Sequence, residues 1–205
     1  MTVTEQVLSP AYWLKSLIKL LLTAMLVGIG CAVSQAGLKE IIRFQPLKKA
    51  GRLIAVMIAV IPAVLLGFLL LKGQLDLPAI RQNLMAKEQL TKQNCLYVFA
   101  YIALCNSFLE EAFFRGFLTE GLRRDGHPKA GVTFSALMFA VYHLGIVDSW
   151  LSLPMLVLCI GALFGAALFL QAVCDHYGSL KASWLVHGCA NLAINAVGVL
   201  LIFKY

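Results

Sequence analysis

Glu110, Glu111 and Arg115 stand together inside a long apolar stretch of this chain. A charge at the centre of a bilayer costs about 2.5–3.5 kcal/mol on insertion scales, so such groups mark function by default. His143 lies in a second apolar stretch, and His187 and Asn191 lie in a third. A carboxylate beside an imidazole is the residue pairing of general acid–base chemistry. A His and an Asn on one helix face are hydrogen-bond donors that can meet a developing oxyanion.

Spacing assigns these residues provisional partners. Glu111 and Arg115 are four apart with the acid on the N-terminal side, the favourable order for an ion pair within one helix. That pair neutralises two costly charges and leaves Glu110, about 100° around the helix, to find a different partner. Glu110 lies sixteen residues before Gly126, and His143 seventeen after it. In an antiparallel hairpin about that glycine the two reach similar depth and can share a water. Phe139, four before His143, packs beside it. His187 and Asn191, also four apart, suit an oxyanion, or interhelical hydrogen bonding of about 0.6 kcal/mol each. At 1.5 Å per residue they lie only about 9 and 15 Å from the helix start near Lys181. Helix tilt or a sunken loop must therefore bring them to the depth of Glu110. Asn195 extends the same stripe in a supporting role, while His127 and His176 read as solvated turn residues.

The elements that must hold these residues are membrane helices. The 205 residues are 60% hydrophobic and 13% charged, with a mean hydropathy of +0.84, against about 25% charged in soluble domains. The fold class is all-α, a polytopic transmembrane bundle, and the length suits a single membrane-embedded domain, 1–205. Six runs approach the about 20 apolar residues a span requires: Leu14–Ser34, Leu53–Leu71, Leu96–Leu122, Gly131–Val147, Leu151–Val173 and Ala182–Phe203. The first, with Lys15 and Lys19 ahead of an apolar run and Ala32-Val33-Ser34 behind it, also has features of a signal peptide, but it is long for one. Lys72–Asn94 reads as a polar loop with room for an interfacial helix. Arg123–Pro128 reads as a tight turn and Asp148–Trp150 as a very short connection.

The net charge of +7 fits basic loops at an anionic membrane surface, and no basic patch interleaved with aromatics suggests nucleic acid. Alternate loops hold nine Lys and Arg (39, 43, 48, 49, 52, 123, 124, 129, 181) against six on the other side (15, 72, 81, 87, 92, 204). By the positive-inside rule the Arg123–Lys129 turn faces the cytosol. The expected location is the plasma (cell inner) membrane. The six cysteines lack a C-x-x-C pair and read as free core thiols.

Glu110-Glu111-Ala112-Phe113-Phe114-Arg115 resembles the E-E-x-x-x-R motif of the CAAX-protease and bacteriocin-processing (CPBP, or Abi) membrane proteases. Phe139-Ala140-Val141-Tyr142-His143 is similar to their F-x-x-x-H motif, and His187-Gly188-Cys189-Ala190-Asn191 to their H-x-x-x-N motif. The three occur in order, each on its own predicted span, and the resemblance covers a core of about 95–200. It implies an endopeptidase of the type II CAAX prenyl protease kind, acting on a membrane-associated or C-terminal CAAX-like peptide within the lipid bilayer. It also implies that Glu110 and His143 activate a water, that His187 and Asn191 form the oxyanion hole, that Glu111 and Arg115 hold the site together, and that the site opens toward the cytosol.

No cofactor is favoured. Zn2+ is the alternative, with Glu110, His143 and His187 as a His2Glu ligand set, but no H-E-x-x-H motif is present, and Asn191 is a poor zinc ligand and a good donor. Rival readings are a proton-coupled transporter with a Glu/His relay, a bis-His haem protein, and a non-catalytic immunity or scaffold protein. The sequence is silent on oligomeric state.

Overall fold

A computed structural model describes residues 12–34, 37–47, 50–86, 88–147 and 151–204. Among them there is no strand, and the chain is an all-helical bundle. The helices are α1 (Tyr12–Ser34), α2 (Leu38–Ile41), α3 (Ala50–Leu71), α4 (Leu77–Ala86), α5 (Cys95–Arg124), α6 (Pro128–Tyr142), α7 (Leu144–Val147), α8 (Leu153–Tyr177) and α9 (Leu180–Lys204).

Local chemistry sets the breaks. Gly126, at a φ of +83°, makes the turn after α5, and Pro128 opens α6 at a position where a helix needs no N–H. Gly178, at a φ of +60°, ends α8 in the left-handed conformation that glycine adopts without strain. Pro154 stands in the first turn of α8. The polar loop after α3 does contain a helix, α4. The Asp148–Trp150 connection lies outside the described residues.

Among the described residues, four helices are long and apolar enough to cross a bilayer: Ala50–Gln74, Cys95–Arg124, Leu153–Tyr177 and Leu180–Phe203. They answer to the second, third, fifth and sixth of the six runs expected from the sequence. In the first, α1 is helical over the 23 residues Tyr12–Ser34. The fourth ends early: α6 stops at Tyr142 after 15 residues, about 22 Å of helix. His143 then occupies a turn whose N–H reaches back three residues to Ala140 O. The expected span to Val147 is thus two helices, α6 and α7, hinged at the histidine.

Helix α9 is the centre of the bundle, packed on α3, α5 and α8, while α6 packs on α5 and α8. Leu53, Leu170, Val173, Ala182 and Val186 form one core between α3, α8 and α9. Phe114, Ala136, Phe139 and Ala167 form another between α5, α6 and α8. Leu90, Cys95, Phe99 and Ile202 close the far end.

Helix α5 winds as a π-helix over Ile102–Asn106 and Ala112–Thr119, with one regular α-helical turn, Ser107–Glu111, between them. Single π-turns are uncommon and recur at functional sites.

The start of α9 is sunken. Leu180 N–H donates to Arg43 O at 2.9 Å, and Ser179 Oγ donates to Gln45 O at 3.1 Å. The 37–47 segment thus lies over a helix start whose Ser179, Leu180, Ala182 and Ser183 are all buried. This is how His187 reaches depth within two turns of the helix start. Arg43 and Arg123 both donate to Glu120 at 2.9 Å. Arg123 also grips Asp175, at 2.8 and 2.6 Å, which ties the covering segment to α5 and α8.

Close approach of α5 and α9 depends on Gly188. A Cβ there would sit 2.8 Å from Ala103 O, a backbone atom that cannot swing aside. Gly188→Ala is expected to cost about 1–3 kcal/mol, the usual range for overpacking. Thermal unfolding in detergent measures it, and an unchanged midpoint would show that the two helices do not pack this closely.

Candidate active site

The regular turn between the two π segments carries both acids. Glu110 is 4% exposed, Glu111 0% and Arg115 1%. Arg115 Nη1 meets Glu111 Oε1 at 3.1 Å. The same guanidinium donates through Nη2 to Ala167 O on α8 at 3.2 Å and lies over the Phe139 ring of α6, 4.6 Å from its centroid. Phe139 in turn makes edge contact with His187 of α9 at 5.7 Å.

His187 bridges the two acids. Its Nδ1 lies 2.9 Å from Glu111 Oε1, and its Nε2 lies 3.7 Å from Glu110 Oε2. Glu111 is ion-paired and can only accept, so Nδ1 carries the hydrogen. Nε2 is then the nitrogen turned toward Glu110, at a distance too long for a direct hydrogen bond. His143 Nδ1 lies 2.7 Å from Phe139 O. A carbonyl also only accepts, so this ring donates from Nδ1 and keeps Nε2 for another partner. Glu110 interacts electrostatically with both histidines.

Asn191 is placed differently from a free oxyanion donor. Its Nδ2 lies 3.4 Å from Ile102 O, a long contact to the first π segment. The second N–H of the amide remains. Asn195 Nδ2 donates to Phe99 O at 2.9 Å, one helical turn away, and ties α9 to α5.

Two residues at this site, Lys19 and Asn106, are not among those that the sequence marks as site residues. Lys19 of α1 donates to Glu110 Oε1 at 2.7 Å and to Asn106 Oδ1, and its ammonium lies 4.8 Å from the centre of the Tyr142 ring. Asn106 Nδ2 donates to Glu110 Oε1 at 2.8 Å. Glu110, which the spacing argument left without an ionic partner, therefore has one. The signal was available: Lys19 is a charge inside an apolar run, the same anomaly that marked Glu110. Read as the basic flank of that run, it was set aside. Asn106 lies one turn before Glu110, at the i, i+4 spacing at which helical side chains meet.

Among the described residues, no group of three His, Cys, Asp or Glu side chains is placed to hold a metal ion. At Glu110 Oε1 the cationic position is taken by the Lys19 ammonium.

Residues 92–193, which contain all three motifs and every residue just described except Lys19 and Asn195, match the family model for type II CAAX prenyl endopeptidase Rce1-like proteins. The chain belongs to this Rce1-like family. It is a membrane protease of the CAAX type and an integral membrane protein. No curated protein and no solved structure matches it.

Arg115 touches α8 and α6 as well as its own helix, so its loss leaves Glu111 as an uncompensated buried charge. Arg115→Met is expected to cost about 3–5 kcal/mol, as breaking one side of a buried pair does. The check is denaturant or thermal unfolding of the purified variant; a loss below 1 kcal/mol would mean that Glu111 is solvated or neutral.

Proposed function

We propose that this Rce1-like protein is a glutamate-type intramembrane endopeptidase in which Glu110 is the general base. The observation that carries the reading is the placement of Glu110. Its Oε1 is tied by Lys19 and Asn106, and its Oε2 faces His187 Nε2 across 3.7 Å. One oxygen is fixed, and the other is turned toward His187.

In this reading a water lies between Glu110 Oε2 and the Nε2 of His143, which the Phe139 carbonyl leaves free to accept. Glu110 takes the water's proton as its oxygen attacks the scissile carbonyl, and returns that proton to the leaving amine. The oxyanion is met by His187 and by the second N–H of Asn191. That role requires a hydrogen on His187 Nε2, so His187 acts as an imidazolium with Nδ1–H on Glu111. Glu111, Arg115 and Phe139 are positioning residues: they fix the His187 ring and its tautomer.

No cofactor enters the mechanism. The ammonium at Glu110 Oε1 stands where a dication would compete for the same carboxylate, and the ligand-rich residue expected of a zinc site is replaced by Asn191. The substrate class is a membrane-associated or C-terminal CAAX-like peptide, in keeping with the family's description as a prenyl endopeptidase. In this reading the protein works in the plasma (cell inner) membrane as a single domain with its core at about 95–200. The nine-to-six loop charge bias supports a site opening to the cytosol.

Cleavage of a membrane-anchored reporter peptide library by purified protein tests the base. Glu110→Ala is expected to lower turnover by about 100- to 10,000-fold, with wild-type activity surviving a zinc chelator. Equal cleavage by both proteins would remove Glu110 as the base, and loss with the chelator would move the site to zinc.

Asn191 separates the oxyanion reading from simple helix bonding. As an oxyanion donor its replacement by Ala lowers kcat by about 100- to 1,000-fold. As interhelical glue it costs only about 0.6 kcal/mol of stability. A kcat within threefold of wild type would leave it only the bond to Ile102.

A further inference from the structure

Helix α1 has little to hold it. Leu17, Leu21, Met25 and Ile29 are exposed, and among its residues with described side chains only Val27 is buried. Nevertheless it delivers one charge into the candidate site. The Lys19 ammonium is 13% exposed against a 4% exposed Glu110, and its donors go to Glu110 Oε1 and Asn106 Oδ1, with the Tyr142 ring beside it.

An ammonium carries three N–H donors and no acceptor. Here two of its partners are themselves joined, because Asn106 Nδ2 donates to the same Glu110 Oε1. Lys19, Asn106 and Glu110 therefore close a triangle in which every edge is a hydrogen bond. Oε1 receives two donors and cannot rotate without breaking both, which holds Oε2 on the histidine side.

We propose that Lys19 is a positioning residue for Glu110: α1 supplies the counter-charge that fixes the carboxylate with Oε2 presented to His187. This rests on the reading of Glu110 as the base. The opposite role, a plug that must leave before substrate enters, fits the geometry less well. A plug would sit on the reacting face, whereas Lys19 occupies the oxygen that Asn106 already holds and leaves the histidine side open. The family match begins at residue 92, so Lys19 lies outside it, and α1 contributes to a site whose other members all come from the matched core.

Two measurements test the proposal. The first is turnover of the reporter peptide by wild type, Lys19→Met and Lys19→Arg. Lys19→Met is expected to lower kcat about tenfold or more with KM within about twofold, the signature of a misplaced catalytic group rather than lost binding. Lys19→Arg, which keeps the charge, is expected to recover most of that loss. The second needs no substrate: the melting temperatures of Lys19→Met, Glu110→Gln and the double variant. Removing Lys19 alone strands a buried carboxylate, so the double variant is expected to melt above Lys19→Met.

Wild-type kcat in Lys19→Met would overturn the proposal, and a raised kcat would do so in favour of the plug. Strictly additive melting shifts would also overturn it, since they deny the pair. A wild type that cleaves nothing would instead bring down the base reading itself, and the melting cycle would then report whether Lys19 and Glu110 are joined at all.

Discussion

The buried Glu111–Arg115 pair is the constraint on which the rest of the site depends. Two charges removed from water are tolerated only when each finds its partner and the remaining donors are used. Arg115 meets most of that demand across helix boundaries, through the ion pair with Glu111 on α5, the bond to Ala167 O on α8 and the Phe139 face on α6, while among the described residues Arg115 Nη1 and Glu111 Oε2 find no hydrogen-bond partner. Glu111 passes the constraint on to α9 by accepting from His187. Four helices are thus located by one ion pair. A lysine at position 115 could not do the same, because only the planar fork bonds two acceptors while stacking on a ring. Both imidazoles are fixed from this centre, His187 by Glu111 and His143 by the carbonyl of Phe139.

The second constraint comes from the backbone of α5. A π-turn shifts the hydrogen-bond register by one residue and leaves carbonyls near its ends short of α-helical donors. Around α5 the backbone N–H groups of Ile102 and Ser107 reach the Phe99, Ile102 and Leu104 carbonyls, and side chains add to them. Phe99, Ile102 and Leu104 carbonyls take Asn195, Asn191 and Trp184 of α9. At the second segment, Phe114 O takes Ser135 Oγ of α6 at 2.7 Å and Thr119 Oγ1 at 2.9 Å. The polar stripe on α9 thus has a structural reason apart from chemistry: it bonds α9 to an irregular helix in a place where water is scarce. Asn195 belongs wholly to that role. Asn191 stands at the boundary, with a long contact to Ile102 and one N–H to spare.

The sequence made part of this legible because the rules involved are local. Apolar runs of sufficient length read as helices, Gly126 and Pro128 as a turn, and Glu111 with Arg115 as a pair, since each depends on spacing within one element. The ion pair in particular forms as the i, i+4 rule requires. What escaped was long-range or irregular. No periodicity predicts a π-turn, so α5 read as a uniform helix. The break at His143 was hidden because Leu144–Val147 continues the apolar run and a hydropathy argument registers no hinge. Lys19 lies 91 residues from Glu110, and nothing in its own neighbourhood names that partner. The sunken start of α9 was anticipated as a need, but its means, the 37–47 segment bonded to Ser179 and Leu180, is a tertiary fact.

Charge balance explains why Lys19 was needed at all. With Arg115 alone the site would hold two adjacent carboxylates against one cation, and the unpaired one would be Glu110, the acid farther from the guanidinium's fork. Neutralising it through a histidine would fix that ring's protonation and take it out of any proton transfer. An ammonium from a separate helix avoids this. It balances Glu110 from the side opposite His187, so that two carboxylates meet two permanent cations. The imidazoles are then not required as counter-ions. Each ring spends Nδ1 on a fixed acceptor, His187 on Glu111 and His143 on the Phe139 carbonyl, so Nε2 is the atom left to make a further bond, in a low-dielectric bundle where such a bond is strong.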